Sequence, residues 1–234
     1  MSTGDVESYV EWKGWTAERF MAADAYRHAL YDAEAGNIDI AGQKVLEIGF
    51  GGGTFLRWAK DRGADIYGCE IVPELVEIAR ARGDVHLVDS DLSHIPATLD
   101  ESFRLIAAFD VLEHLTLEET RRLLAQIERL LQPGGFFLAR FPNGESPFGR
   151  VYQYRDATHR TVLSGRLIGQ LLVGSRLKVV RAGDARVPLF GSPLRKAGQW
   201  LKRAVRNRMS AFIKQLYDFD GAMGTNMVVL VQRS

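Results

Sequence analysis

The residues best suited to chemistry begin with an alternation, Glu47-x-Gly49-x-Gly51-x-Gly53, inside the stretch VLEIGFGGGTFLRWA. Val45–Ile48 is a short apolar run, the glycines follow it, and a helical pattern begins at Thr54 with Phe55, Leu56, Trp58 and Ala59. That order reads as strand, turn, helix. Glycines permit a sharp turn and let a ligand approach the main chain without a Cβ in the way. The new helix offers unpaired N–H groups and a partial positive charge, which suits a phosphate or a carboxylate. Glu70 ends a second apolar run, DIYGCE, about twenty residues after the glycines, where a carboxylate can accept two hydrogen bonds from a ribose diol. Farther on lie two histidines that could accept a proton near neutral pH, His114 and His159. Tyr152, Tyr154, Arg155, Asp156 and His159 fall together in one polar and aromatic stretch, Pro142–Thr161.

The positioning elements follow from the pattern around these residues. Residues 5–35 read as helical through Tyr9, Val10, Trp12, Trp15, Phe20, Met21, Ala25 and Leu30, interrupted by Gly14. This segment packs on a sheet edge in one reading and caps the ligand in the other. Strands are expected at 65–70, Val85–Val88, Phe103–Phe109, Phe136–Phe141, Leu177–Arg181 and Met227–Val231. Helices are expected from Thr54 to about Arg62, from Pro73, over Leu117–Leu131 and over Gly165–Val173 with Ser164 as its cap. Alternating strands and helices predict an open, mostly parallel sheet that binds ligands outside the strand C-termini. Glu70, Asp91, His114 and the long segment after Phe141 all fall at that edge. Long loops there usually carry function.

Composition sets the outer limits. The chain has 234 residues, 46% apolar and 25% charged, with a net charge of +1, as expected of one α/β domain with additions and without an overall nucleic-acid signature. The single cysteine, Cys69, rules out an internal disulfide and reads as a buried, inert thiol in the second strand. No apolar run is long enough to span a bilayer and none resembles a signal-peptide core. A cytoplasmic location is the expectation.

The glycine loop departs from the dinucleotide fingerprint G-x-G-x-x-G/A, because Thr54 stands at its third position. With its preceding acidic residue the loop resembles that of the class I S-adenosylmethionine-dependent methyltransferases. The likeness is carried on by Asp89-Ser90-Asp91-Leu92 before Ile95-Pro96, by Asp110–Leu115 after the fourth strand, and by LLQPGGFF before the fifth. It implies a Rossmann-like α/β sheet of seven strands, the last antiparallel, with helices on both faces. Arg104 stands where many members carry an acidic residue. By the resemblance, Gly49, Gly51 and Gly53 line the methionine moiety of the cofactor and Glu47 holds its ammonium. Glu70 takes the ribose and Asp91 the adenine amino group, with Ile71, Leu92 and Phe109 completing the cofactor site. The phrase Tyr154-Arg155-Asp156-Ala157-Thr158-His159 resembles one found in bacterial methyltransferases of saccharide and other secondary pathways. It points to His159 as the acceptor's base with Asp156 as its orienter, and His114 is the other candidate. Each histidine has a purely structural alternative, that of anchoring its loop. The implied reaction is direct O-methylation of a small molecule or saccharide, lipid- or phosphate-linked in one version, with S-adenosylhomocysteine as product. No metal is expected, since Asp110, Glu113 and His114 crowd into one turn.

Two other classes stay open: an NAD-dependent oxidoreductase, and a non-catalytic module of the same fold that binds a membrane or a protein. The second draws on an insertion, residues 184–224, with LRKAGQWLKRAVRNRMSAFIKQL at its centre. Leu194, Ala197, Leu201, Ala204, Val205, Phe212, Ile213 and Leu216 form an apolar stripe, and no Asp or Glu occurs from Ala185 to Tyr217. Packed on the domain, this helix would present a solvated basic face. Otherwise it suits an anionic bilayer, which adds peripheral contact at the inner membrane face through 194–216, or a phosphate-bearing acceptor. Nucleic acid is not favoured, because the basic stretch lacks interleaved stacking aromatics beyond Trp200. The expected organisation is a helical cap over 1–43, a core over 44–183, the basic insertion over 184–224 and a last core strand over 225–234.

Overall fold

The computed structural model describes residues 14–234. Seven strands form one sheet: β1 (Lys44–Ile48), β2 (Asp65–Cys69), β3 (His86–Leu87), β4 (Phe103–Phe109), β5 (Leu131–Pro142), β6 (Leu177–Asp184) and β7 (Asn226–Arg233). Their order is β3-β2-β1-β4-β5-β7-β6. The first five pair in parallel, while β7 runs antiparallel to both β5 and β6. The chain reverses its direction of travel between β1 and β4, so a crevice opens at their C-terminal ends. This is the sheet that the resemblance implies, seven strands with the last antiparallel.

Alternation along the strands builds two cores. Val45, Leu105, Ala107, Leu138, Val228 and Leu230 face one side with α1 (Ala25–Ala35), α2 (Thr54–Lys60) and α3 (Pro73–Arg82). Leu46, Ile106, Ala108, Phe137, Ala139, Val229 and Val231 face the other, with α4 (Leu117–Leu130) and α6 (Gly165–Leu171). Between β5 and α6 lies a single turn of helix, α5 (Arg150–Gln153). Thr116 and Glu119 close a reciprocal capping box at the start of α4. Leu124, Ile127 and Leu130 bury its apolar stripe, each such side chain contributing about 1.5–3 kcal/mol. Cys69 is buried as expected, and burial pushes its thiol up to about 12.

Several expected boundaries move. Among the described residues, the helix expected over 5–35 begins at Ala25, where Asp24 accepts from the Arg27 N–H at 2.9 Å. Tyr9, Val10 and Trp12 lie outside the described residues. Residues 14–24 form turns instead, because the chain bends to lay Trp15, Phe20 and Met21 on the glycine loop. The third strand shrinks to His86–Leu87, since it pairs with β2 alone at the sheet margin. The fifth starts at Leu131, directly after α4, and β6 runs on to Asp184. The basic helix, α7 (Pro193–Leu216), has no buried residue at all. None of the described helices is long and apolar enough to cross a membrane.

Candidate active site

The glycine loop is shaped by contacts on both its sides. Gly49, Gly51 and Gly53 have φ of 68°, 49° and 70°, values that side chains tolerate poorly. A methyl group on Gly49 would stand 2.7 Å from Val111 Cγ2, and one on Gly51 2.7 Å from Trp15 Cζ2. At Gly53 it would meet Met21 and Phe20, and the Met21 N–H donates to Gly52 O at 2.9 Å. The loop is thus held between the N-terminal turns and the segment after β4.

Two carboxylates flank it. Glu47 is buried in β1, and its Oε2 has no hydrogen-bond partner among the described residues. Burial pushes its carboxyl well above the usual range; the Leu56 N–H opposes this, and the Glu70 charge adds to it. Glu70 is engaged by the main chain: Oε2 accepts from Gly51 N at 2.9 Å, Oε1 from Ile71 N at 2.7 Å and Val72 N at 3.2 Å. It therefore clamps the loop to the end of β2 while keeping one lone pair, on Oε2, for a hydroxyl of a diol. At the third strand's end, Asp91 accepts from Ser93 N at 3.0 Å and Ser93 Oγ at 2.7 Å, and these bonds hold its carboxyl below the usual range. Leu92 beside it is buried. His94 turns to Asp89, Nδ1 to Oδ2 at 3.1 Å. Phe109 lies among Tyr31 and Phe55, both 5.2 Å away between centroids, with the Arg140 guanidinium 5.4 Å over its ring.

The histidines meet at the same edge. His114 sits in the turn after β4, three residues beyond the Val111 that touches Gly49. Its Nδ1 lies 2.9 Å from Thr158 Oγ1, and Thr158 in turn donates to Asp156 Oδ1 at 2.5 Å. Because the threonine proton goes to the carboxylate, Nδ1 of His114 carries the proton and Nε2 is the basic nitrogen. Partial burial disfavours the Asp156 charge, but the Thr158 hydrogen bonds and the histidines outweigh it and lower its pKa. His159 presents Nδ1 to Gln153 O at 3.0 Å, which makes its Nε2 basic too; that atom is 3.9 Å from Glu113 Oε1. The two rings stand edge to face, 4.7 Å between centroids. Asp156 therefore orients His114 through Thr158, whereas Gln153 orients His159.

Sequence reasoning gave no site role to Thr158, Gln153 or Trp15. Only Thr158 leaves a local signal, the Asx turn in which Thr158 N donates to Asp156 Oδ1 at 2.9 Å. Asp110 is a second missed feature: it holds φ at 58° while its carboxylate pairs with Arg140. Glu113, His114 and His159 also bring potential ligand atoms within 4.8 Å of one another. Asp110, Glu113 and His114 crowd one turn, as the sequence indicates, but the third donor of this set comes from a distant loop.

Comparison with known proteins agrees with this architecture. Residues 46–139 match the methyltransferase domain family. The ubiquinone biosynthesis O-methyltransferase of Xanthomonas oryzae pv. oryzae (strain PXO99A) is 29% identical over 131 residues, 51% of this chain and 54% of that protein. An uncharacterized methyltransferase of Geobacillus kaustophilus is 35% identical over 99 residues, 42% of this chain and 46% of that protein. The chain thus spans about half the length of the curated relatives it matches. A crystal structure of a SAM-dependent methyltransferase from Archaeoglobus fulgidus superposes with a TM-score of 0.64 at 18% identity, covering 92% of this chain and 97% of that one. Residues 46–139 are thus similar to a methyltransferase domain, and the sheet as a whole shares the fold of S-adenosylmethionine-dependent methyltransferases.

Proposed function

We propose that this chain methylates a hydroxyl group of a small-molecule or saccharide acceptor, lipid- or phosphate-linked in one version, with S-adenosylmethionine as donor. The observation that carries the hydroxyl assignment is the pair of histidines at the ligand edge whose Nδ1 atoms are fixed by Thr158 and Gln153, which makes Nε2 the basic nitrogen of each. An amine acceptor would need no such base. The O-methyltransferase named among the relatives supports the same choice.

The buried, unpartnered Glu47 oxygen and the glycine cradle fit the donor's ammonium and methionine chain. Glu70 and the Ile71 backbone would hold its ribose, Asp91 and Leu92 its adenine, and Phe109 the wall between them. When bound, the donor supplies a methyl group already activated by a sulfonium. The chain's own task is then alignment of the acceptor and removal of one proton. His159 Nε2, or His114 Nε2, takes that proton, and the Asp156–Thr158 link steadies the imidazolium of His114 by charge. Residues 44–183 and 225–234 form the working unit, 1–43 cap it, and the location is cytoplasmic.

A second reading rests on the Glu113, His114 and His159 cluster: a divalent cation there would lower the hydroxyl's pKa and replace the base. A calorimetric titration with S-adenosylhomocysteine, against NADH, tests the donor assignment. Micromolar binding of the first alone supports it, and binding of neither removes it. Once an acceptor is found, a chelator separates the two readings: activity that survives it favours the histidine base.

A further inference from the structure

The helix α7 turns its polar edge to the loop that precedes it. On a helix turning about 100° per residue, Leu194, Leu201, Val205, Met209, Phe212 and Leu216 fall within an arc of about 80°. Every one of them is more than half exposed. The side turned to that loop is hydrophilic. Gln199 accepts from Phe190 N at 2.9 Å and donates to Phe190 O at 3.2 Å, and Arg203 donates to Val187 O. A helix serving only its own domain turns its apolar stripe inward. A contiguous apolar stripe facing away marks an interaction surface.

The charges around the stripe identify what it meets. The helix carries Arg195, Lys196, Lys202, Arg203, Arg206, Arg208 and Lys214 and no acidic residue. Lys202 and Arg206 border one side of the stripe and Arg208 the other, so long aliphatic stems extend the apolar surface while the cations reach past it. A second copy of this helix would bring like charges together with no carboxylate to pair them. Nucleic acid would leave the aliphatic stripe uncovered. An anionic bilayer matches both features, with the apolar stripe in the acyl boundary and the cations among headgroups.

Topology adds the orientation. β6 ends at Asp184 and β7 begins at Asn226, and β6 runs in the same sense as β5 because both are antiparallel to β7. Both ends of the insertion therefore leave the sheet at the ligand edge. The returning segment is tied there: Asn143 Nδ2 donates to Ala222 O and Gly224 O, both at 3.1 Å, and Ser146 Oγ to Met223 O at 2.9 Å. The neighbouring loop exposes Phe148, Val151, Tyr152 and Tyr154.

We infer that α7 lies in the plane of an anionic bilayer and holds the ligand edge of the sheet to that surface, where a lipid-borne acceptor would enter. The acceptor half rests on the methyltransferase reading; the docking half does not. The test is co-sedimentation of the full chain with vesicles of phosphatidylcholine and phosphatidylglycerol in equal parts, against phosphatidylcholine alone. Binding to the mixed vesicles only, weakened by salt, is expected. Lys202→Gln with Arg206→Gln and Arg208→Gln should lower partitioning on the order of 100-fold, at about fivefold per charge. Leu201→Ser with Val205→Ser and Phe212→Ser should abolish it. Unchanged thermal unfolding certifies that both variants fold, and S-adenosylhomocysteine titration of the same samples reports separately on the cofactor reading. No binding by the wild type, equal binding to neutral vesicles, duplex DNA as the only ligand, or a dimer that the serine variant dissociates without vesicle binding would each overturn the inference.

Discussion

Glu47 carries a physical cost that binding can repay. A carboxyl buried without a partner for Oε2 resists ionisation, and its pKa in the folded chain lies well above the ordinary value. The sign follows: a raised folded pKa adds stability below the unfolded pKa of about 4.3, lost as pH rises through the folded value. The unliganded protein should therefore lose stability as pH climbs from about 4.5 toward neutrality, with a slope of at most about 1.4 kcal/mol per pH unit from this group. Glu47→Gln should remove that slope in thermal melts taken across the range, and should weaken S-adenosylhomocysteine binding at least tenfold. A variant that melts like wild type at every pH would release Glu47 from both roles. The histidines separate by their supports. His159→Ala should cut turnover while leaving cofactor affinity intact. Thr158→Val should leave KM near its wild-type value but displace the acidic limb of the pH–rate profile if His114 is the base, and leave the profile unmoved if His159 is.

Among the elements, the turns after β4 and β5 act as one unit. Arg160 N and Thr161 N donate to Glu113 O at 2.8 and 3.1 Å, and Thr161 Oγ1 to Leu115 O at 2.5 Å. These bonds bring His114 and His159 together from opposite ends of α4 and β5. The capping box of α4 stands directly behind them, and Arg160 reaches its Glu119 at 3.3 Å. Thr116→Ala should cost about 1 kcal/mol, within a usual range of about 0.5–2 kcal/mol, read from urea unfolding. It should lower activity only through the fraction folded.

For the whole molecule, a ligand that binds only the folded state stabilises it by mass action. S-adenosylhomocysteine at about a hundred times its Kd should add roughly 2.7 kcal/mol. That corresponds to a rise in Tm of several degrees, whereas NADH at the same concentration should leave Tm unchanged. The charge distribution acts at this scale too. A net charge of +1 conceals a long stretch without a single carboxylate, so surface potential, rather than net charge, decides which surfaces attract the molecule.

Local regularities were readable in the chain without coordinates. The apolar runs of β1, β4, β5 and β7, the glycine turn after Ile48, the cap at Ser164 and the sheet class all follow from local pattern. The family likeness rests on the order of such local signals, from Glu47 to Gly135. What the tertiary structure alone decided are meetings between distant segments. Trp15 lies on Gly51, Thr158 lies between Asp156 and His114, and Glu113 lies opposite His159. Residues 14–24 leave the expected helix for the same reason: contacts with the glycine loop outweigh helix propensity there. The stripe on α7 was legible as a pattern, but an amphipathic sequence does not state which way it faces. Hydrogen bonds from Gln199 and Arg203 to the loop before it turn the apolar side outward, because only the folded chain sets which side of a helix finds partners.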